Sequence, residues 1–322
     1  MITTRRFLSS TMGSWRLPPA YLPYAELIRF EKPAGTINLY FPYLYGSIYA
    51  ACVKEEIPSI DQLLSTALGL LGLSFIIRSI GCTWNDYVDR DLDKHISRCC
   101  NRPLARGAIA PGDALTFMAC EYAVLFGVIF AGQMSLLPYI VAVIMTGTMY
   151  PYAKRVTNYA QTFLGFSLSI GILIGCATTG VDPAEAIVAK SASGLSMLAL
   201  MLAWVVWTMI YDTIYAFQDL EADKKVGNMA LSVRFEQNMH GVFYGLAAAE
   251  SLCLVAAGWF SGFHVWFYVS VAVLMFSLLD TLVRTDLKDM QQCRWWFEKG
   301  SLRIGFGVAG CLGVEYLTRL LL

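Results

Sequence analysis

Nine segments of this chain are long and apolar enough to cross a bilayer core of about 30 Å as helices. Only 15% of the 322 residues are charged, against about a quarter in soluble domains, which indicates a membrane-embedded fold. The segments are 36–53, 63–82, 114–132, 136–150, 163–179, 195–211, 242–260, 265–282 and 304–322. They predict an all-α polytopic membrane protein, with a basic tail over residues 1–30 and a single transmembrane domain over residues 31–322. We expect about nine transmembrane helices around a central cavity.

Lysine and arginine are divided unequally between the two predicted membrane faces. With nine spans, the N-terminal tail and the loops after spans two, four, six and eight carry 20 of the 24 basic residues. The opposite loops carry only Lys54 and Lys190, while Arg319 lies near the C-terminal end and Arg78 lies inside span two. Because basic loops stay on the cytosolic or matrix side, this asymmetry assigns that side to the basic face.

Two acidic motifs follow spans two and six, and the topology places both on the basic face. The side chains that would share one side of a continuing helix are Asn85, Asp89 and Asp93 in the first motif and Asp212, Asp219 and Asp223 in the second. Stacked carboxylates repel one another unless a cation lies among them, and ligands that are all oxygen favour Mg²⁺ over zinc. Since Mg²⁺ commonly takes phosphate oxygens as well, the motifs predict a diphosphate clamp that caps the cavity. The alternative is that these acids pair with nearby basic residues at a solvated membrane edge.

The remaining composition indicates no other metal site. The nine cysteines are mostly scattered and the three histidines lie far apart, so neither a zinc site nor a disulfide framework is predicted. The net charge is zero, and we expect no nucleic-acid partner. The first 25 residues contain Arg5, Arg6 and Arg16, and fit either a mitochondrial presequence or a basic cytosolic tail. We favour an endomembrane location, with the mitochondrial inner membrane as the alternative.

At the two motifs the sequence resembles the UbiA superfamily of intramembrane aromatic prenyltransferases. Residues 85–93 match the family's NDxxDxxxD motif, and residues 212–223 match every fixed position of its DxxYAxxDxxxD motif. The resemblance extends from about residue 29 to residue 234 and includes the segments RFEKPAGT (29–36), NRPLARG (101–107) and YPYAKR (150–155). The sequence departs from the family at residues 227–230, where GNMA replaces the usual Gly-x-Lys-Ser/Thr. Lys224 and Lys225 lie one helical turn upstream of that position.

The resemblance implies that two Mg²⁺ ions bridge a prenyl diphosphate between the motifs, held by the six side chains named above. It further implies catalytic roles for Asp89 and Asp219, and it favours a role for Tyr215, whose ring could stabilise a carbocation. Because the electron-rich acceptor attacks the allylic cation directly, no covalent nucleophile is required.

Four basic residues are candidates for binding the substrates. Arg102 and Lys154 are candidates for diphosphate contacts, and Arg155 for the diphosphate or an acidic acceptor, although all three could simply belong to the basic membrane face. Arg78 is different, because an intramembrane arginine two turns before Asn85 is expected to face a polar cavity. The aromatic residues Trp84 and Tyr87 beside the first motif are interpreted as membrane-interface residues.

The acceptor is the least constrained part of the prediction. Both motifs are close to those of 4-hydroxybenzoate polyprenyltransferases of ubiquinone synthesis. Residues 101–111 (NRPLARGAIAP) also resemble fungal meroterpenoid enzymes that attach farnesyl to a phenolic acid. We favour the second group, with farnesyl diphosphate and an aromatic acceptor as substrates, and keep the first as the alternative. A cation-binding transporter is the alternative from another class, although such proteins carry their acids near the midplane of the spans.

Overall fold

The structure, a computed structural model, describes residues 18–96, 99–226 and 229–322, with only the backbone described at Lys154, Arg155, Ala222 and Val226. All regular secondary structure in these ranges is helical, as the sequence predicts. Most of the predicted basic tail lies outside the described residues, and its boundary therefore stays a prediction.

Nine long helices in the described residues coincide with the nine predicted spans. They are α1 (Pro33–Val53), α2 (Ile60–Asp93), α3 (Pro111–Phe130), α4 (Leu137–Val156), α5 (Ala160–Thr178), α6 (Ala192–Ala216), α7 (Met239–Phe260), α8 (Val265–Val283) and α9 (Ser301–Leu321). A short helix, Leu22–Leu27, precedes α1, and further short helices lie between the long ones at Pro183–Val188, Leu220–Val226, Leu231–Arg234 and Met290–Trp295. Eight of the long helices, α2 to α9, are long and apolar enough to cross a membrane within the described ranges.

Helix α1 has the length of a span, 21 residues, but it is less apolar than the other eight. It contains four tyrosines, Asn38 and the internal Pro42. More than half of its residues are buried, because it packs against α2, α5 and α9 at the centre of the bundle. A helix surrounded by protein can carry polar side chains whose hydrogen-bonding groups find partners in neighbouring helices, as the hydroxyl of Tyr45 does at the carbonyl of Gly305, 2.7 Å away.

The other helices are arranged around α1. From α4 to α9, every long helix packs against the long helix that follows it in the chain. Helix α2 contacts α1 and α4. Helix α3 packs on the outer side of α2. Helices α1 to α6 all contribute residues to one common space, which lies at the end of the bundle where both acidic motifs begin.

Glycines allow α1 and α5 to approach closely. A side chain at Gly46 would overlap the backbone of Ile172, and a side chain at Gly175 would overlap the carbonyl of Tyr43. Small residues at such contacts let two membrane helices pack backbone to backbone. This close contact fixes α1, and with it the polar residues that α1 presents to the cavity.

Helix α2 is longer than a membrane requires. Its 34 residues correspond to roughly 51 Å at 1.5 Å per residue, well beyond the bilayer core. A capping box begins it, in which Ser59 accepts a hydrogen bond from the backbone of Gln62 and donates its own backbone N–H to the Gln62 side chain. The prediction that the helix continues through the first acidic motif is therefore confirmed, since α2 ends at Asp93.

Candidate active site

A cavity of about 340 Å³ lies between α1, α2, α3, α4, α5 and α6. Its walls are apolar, with residues such as Leu39, Ile77, Leu125, Val143 and Leu168. The polar residues that line it are Arg29, Asn38, Arg78, Asn85, Asp86, Arg102, Thr148, Ser167 and Asp212. An apolar cavity whose lining also includes arginine side chains fits an amphiphile that has an apolar tail and an anionic head.

Asp86 is the buried carboxylate of this cavity, and the sequence interpretation missed it. Its residue is 1% exposed, and its two carboxylate oxygens lie 2.7 and 2.9 Å from Nη2 of Arg29. Nη1 of Arg102 lies 3.1 Å from the same carboxylate. A spacing of four residues between ligands favours Asn85 over its neighbour Asp86. In α2, Asp86 points toward the segment before α1, where Arg29 lies. The signal that could have found Asp86 is its place in the family motif beside Asn85.

Asp93, at the end of α2, is also buried and also paired with arginine. Nη1 of Arg102 donates a hydrogen bond to its Oδ2 at 2.8 Å, so Arg102 bridges Asp86 and Asp93. The pairing with a basic residue that the alternative describes is present at Asp93, but Asp93 and Asp86 are both buried and do not lie at a solvated edge. Asp89, between them, is partly buried and is not among the described residues that line the cavity.

The second motif is not one continuous helix. Asp212 lies in α6 and lines the cavity. Helix α6 ends at Ala216 and a 3₁₀ turn, Phe217–Asp219, follows, so Asp223 lies in the separate helix Leu220–Val226. The second motif therefore lacks the continuous helix that the prediction of one shared face assumed, and Asp219 and Asp223 lie beyond the end of α6. Asp219 and Asp223 are partly buried.

Arg78 faces the cavity, as expected of an intramembrane arginine. Its Nη1 donates a hydrogen bond to the carbonyl of Ile28 at 3.3 Å. Its guanidinium packs directly over Gly35, where a side chain would overlap it. The absence of a Cβ at Gly35 therefore makes room for the arginine at the start of α1.

Arg29, Asp86 and Arg102 form a charged group that we call the polar roof of the cavity. A small hydrophobic cluster packs beside it. Leu27, Leu104, Ile109 and Ala114 form its buried core, with Tyr24, Tyr87 and Phe117 packed against them. Arg106 pairs with Glu26 at 2.5 Å on the same side. The cluster joins the helix Leu22–Leu27 to the loop after α2. Arg29 follows that helix, and Arg102 lies in that loop.

Aromatic residues surround the cavity more closely than the sequence interpretation expected. Trp84 lines the cavity and its indole donates to the carbonyl of Thr148 at 3.1 Å, contacts that its interpretation as a membrane-interface residue did not include. Tyr87 stacks on Trp84 with ring centroids 6.0 Å apart. Tyr215 packs against Phe297 with ring centroids 4.6 Å apart and an angle of 34° between the ring planes.

Several predicted residues lie where the structure gives no side-chain description. Lys154 and Arg155 are placed in α4 by their backbone, and their predicted substrate contacts stay predictions. Gly227 and Asn228, where the sequence departs from the family, lie outside the described residues. Of the basic candidates, Arg78 and Arg102 are the two that line the cavity within the described part of the chain.

The motif side chains do not form a ready-made metal cage. Within the described ranges, no three histidine, cysteine or acidic side chains are grouped closely enough to hold a metal ion. The donors are nevertheless all oxygen or amide groups, the chemistry that suits Mg²⁺. Mg²⁺ retains waters and takes phosphate oxygens, so a few protein ligands brought together by a bound diphosphate would suffice.

Residues 39–306, most of the chain, match the model of the UbiA prenyltransferase family. The chain belongs to this family. It is 32% identical over 317 residues to the mitochondrial 4-hydroxybenzoate polyprenyltransferase of Saccharomyces cerevisiae, covering 95% of this chain and 79% of that protein. It is 33% identical over 299 residues to the polyprenyl transferase ausN of Emericella nidulans, covering 93% and 82%. The fold matches a solved UbiA homologue from Archaeoglobus fulgidus bound to GPP and Mg2+, with a TM-score of 0.59, 17% identity and coverage of 89% and 99%.

This UbiA-family chain is thus a multi-pass membrane prenyltransferase. Family membership removes the transporter alternative. The relatives include a mitochondrial 4-hydroxybenzoate polyprenyltransferase and enzymes whose names, prenyltransferase ascA and polyprenyl transferase ausN, state no acceptor. Family membership therefore establishes the class of enzyme and leaves the acceptor and the length of the prenyl donor to be inferred.

Proposed function

We propose that this UbiA-family prenyltransferase moves a farnesyl group from farnesyl diphosphate to a ring carbon of a phenolic acid, in the presence of Mg²⁺. The observation that carries this proposal is one cavity whose walls are largely apolar and whose lining also includes the charged residues Arg29, Arg78, Arg102 and Asp212. An isoprenoid tail matches the apolar walls, and a diphosphate with an acidic ring matches the charged residues.

The diphosphate is proposed to bind between the two motifs. The residues that would hold Mg²⁺ are Asn85, Asp89, Asp93, Asp212, Asp219 and Asp223. Bound Mg²⁺ supplies neutralisation of the negative charge that develops on the leaving diphosphate. Arg102 now contacts Asp86 and Asp93, and an arriving diphosphate offers its guanidinium a stronger bidentate partner. Arg102, with Lys154 as a second candidate, would thereby stabilise the leaving group directly.

The acceptor is proposed to place its acidic substituent at Arg78. This guanidinium faces the cavity two turns below Asn85, and one of its nitrogens is already fixed by the carbonyl of Ile28. A fixed guanidinium can bind a carboxylate in a bidentate manner and so orient the ring carbon toward the allylic carbon. Arg155 is the second candidate for this contact. Tyr215 would present its ring to the developing positive charge.

The second candidate function is 4-hydroxybenzoate polyprenyl transfer in ubiquinone synthesis, which the 32% identity to the yeast enzyme favours. The similarity to ausN, at 33% identity and similar coverage, is equally compatible with the first proposal, farnesyl transfer to a phenolic acid. The missing lysine at residues 227–230 leads us to prefer the latter. The two candidates also differ in location, an endomembrane for the first proposal and the mitochondrial inner membrane for the second.

Complementation separates the two candidate functions. The chain is expressed with a mitochondrial leader in a yeast strain that lacks its own 4-hydroxybenzoate polyprenyltransferase, and growth on a respiratory carbon source is measured. We expect no rescue, together with farnesylated product when membranes receive farnesyl diphosphate and phenolic acids that carry polyketide-type substituents. Rescue of growth, or a preference for long-chain donors and 4-hydroxybenzoate, would contradict the proposal. Fractionation of tagged protein in the native host tests the location.

A further inference from the structure

A π-helical turn, Trp296–Gly300, stands between the helix Met290–Trp295 and α9. Such turns insert one extra residue into a helix and are frequent at functional sites. Here the turn brings Phe297 to the wall of the cavity. Among the described residues that line the cavity, it is the one that comes from the chain beyond α6.

The neighbours of Phe297 are aromatic and lie beside the second acidic motif. Its ring centroid is 4.6 Å from that of Tyr215 and 6.3 Å from that of Tyr211. Tyr211 and the adjacent Asp212 line the same cavity. Phe297 and Tyr211 therefore contribute aromatic rings to the cavity wall beside Asp212, and the ring of Tyr215 packs against Phe297.

The π-helical turn is held by specific hydrogen bonds. The carbonyl of Phe297 accepts from the hydroxyl of Ser301 at 2.7 Å and from Nδ2 of Asn38 at 3.4 Å. Nδ2 of Asn38 also lies 2.8 Å from the Ser301 hydroxyl, which ties the turn to α1. The buried Trp296 donates its indole N–H to Thr285 at 2.8 Å. These bonds satisfy backbone and side-chain groups that an extra residue would otherwise leave without partners, so the position of Phe297 is well fixed.

We propose that Phe297 is a catalytic residue whose ring face stabilises the allylic cation of the prenyl donor. The inference rests on the proposed function and adds a residue to it. As the allylic C–O bond breaks, its electron pair leaves with the diphosphate and positive charge spreads over the allylic carbons. A ring carbon of the acceptor then supplies the electron pair of the new C–C bond, and its proton passes to the released diphosphate. An aromatic ring at the cavity wall can attract the cationic carbons before that bond forms.

Fluorinated phenylalanines at position 297 test the inference, because fluorine weakens the negative ring face while nearly preserving its shape. With one, two and three fluorines, kcat should fall stepwise, and Phe297→Leu should lower kcat roughly two- to thirty-fold, the range of cation–π interactions. The KM for the prenyl diphosphate should change little. The matched control is Phe276→Leu, on the outer surface of α8 with 75% exposure, which should keep wild-type kcat. A kcat that is flat across the fluorinated series would overturn the inference.

A binding measurement separates failure of this inference from failure of the proposed function. An ammonium analogue of the allylic cation is titrated into the purified wild type and variants with inorganic diphosphate and Mg²⁺ present. The affinity should fall along the fluorinated series by the same factors as kcat, and it requires no acceptor. Unchanged affinity would contradict the role of Phe297 even if prenyl transfer occurs. If no acceptor is prenylated but the affinity for the ammonium analogue still falls along the fluorinated series, the result would contradict the proposed acceptor and leave the role of Phe297 intact.

Discussion

Nη2 of Arg29 lies 2.7 and 2.9 Å from the two carboxylate oxygens of Asp86, and this pair joins the segment before α1 to α2. Arg29 adopts a φ of 58°, a left-handed conformation that is unusual for a residue other than glycine. Its Nη1 also donates to the carbonyl of Glu26 at 3.1 Å. A strained backbone that is held by a buried ion pair indicates that the roof of the cavity depends on Asp86.

Arg29→Ala should destabilise the protein, because it leaves the buried Asp86 with Arg102 as its remaining basic partner in the described roof. We expect a loss of about 1–3 kcal/mol, less than the 3–5 kcal/mol typical when a buried pair is broken completely. Thermal unfolding in detergent measures it. Arg284→Ala, which removes an exposed pair with Asp280, is the matched control and should leave the thermal midpoint nearly unchanged. Equal effects of the two variants would show that Asp86 does not depend on Arg29.

Asp89→Asn and Asp219→Asn should each nearly abolish turnover while leaving membrane insertion and expression intact. Each substitution removes one negative charge from a proposed ligand of Mg²⁺ and keeps the size of the side chain. The measurement is product formation across a range of Mg²⁺ concentrations. Asp91→Asn is the control within the same motif, since that side chain is 69% exposed and pairs with Lys94. If either test variant kept most of its activity at low Mg²⁺, the two-motif clamp would be wrong.

Cysteine labelling tests the shared face of the two motifs. In a background without native cysteines, single cysteines replace Asp113, Glu236 and Glu55, which are all exposed. An impermeant reagent should label positions 113 and 236 from one side of the membrane and position 55 from the other. Labelling of positions 55 and 113 from the same side would contradict the topology and separate the motifs.

Gly175→Ala should destabilise the bundle, because the new methyl group would overlap the Tyr43 carbonyl of α1. We expect a loss of about 1–3 kcal/mol, as for overpacked cores. Gly72→Ala in α2 is the matched control, since nothing lies near its Cβ position and alanine is favoured in a helix by about 1 kcal/mol. The thermal midpoints in detergent should therefore move in opposite directions. Equal midpoints would show that α1 and α5 can separate without cost.

Much of the fold could be predicted because it depends on local sequence properties. The lengths of the apolar segments predict the nine helices, and the polar positions on α2 predict that Arg78 faces a cavity. The special character of α1 could not be predicted, since its tolerance for tyrosine and asparagine comes from the neighbours that enclose it.

The parts of the site that sequence reasoning missed depend on contacts between distant segments. Asp86 meets Arg29 only because the helix Leu22–Leu27 folds back over α2. The 3₁₀ turn before Leu220 breaks a spacing that looks helical in the sequence. Phe297 reaches the cavity through one extra residue in a helix, and no short motif signals such a turn.

The most direct test of the central claim is prenyl transfer by the purified protein. Labelled farnesyl diphosphate and a panel of phenolic acids are supplied to wild type and Arg78→Leu, with Mg²⁺ or with EDTA. Wild type should give a product with farnesyl bound to a ring carbon, in the presence of Mg²⁺ and not with EDTA. Arg78→Leu should raise the KM for the acid acceptor and leave the KM for the diphosphate nearly unchanged. Correctly folded wild type that forms no such product with any phenolic acid, or that forms it equally well in EDTA, would contradict the account.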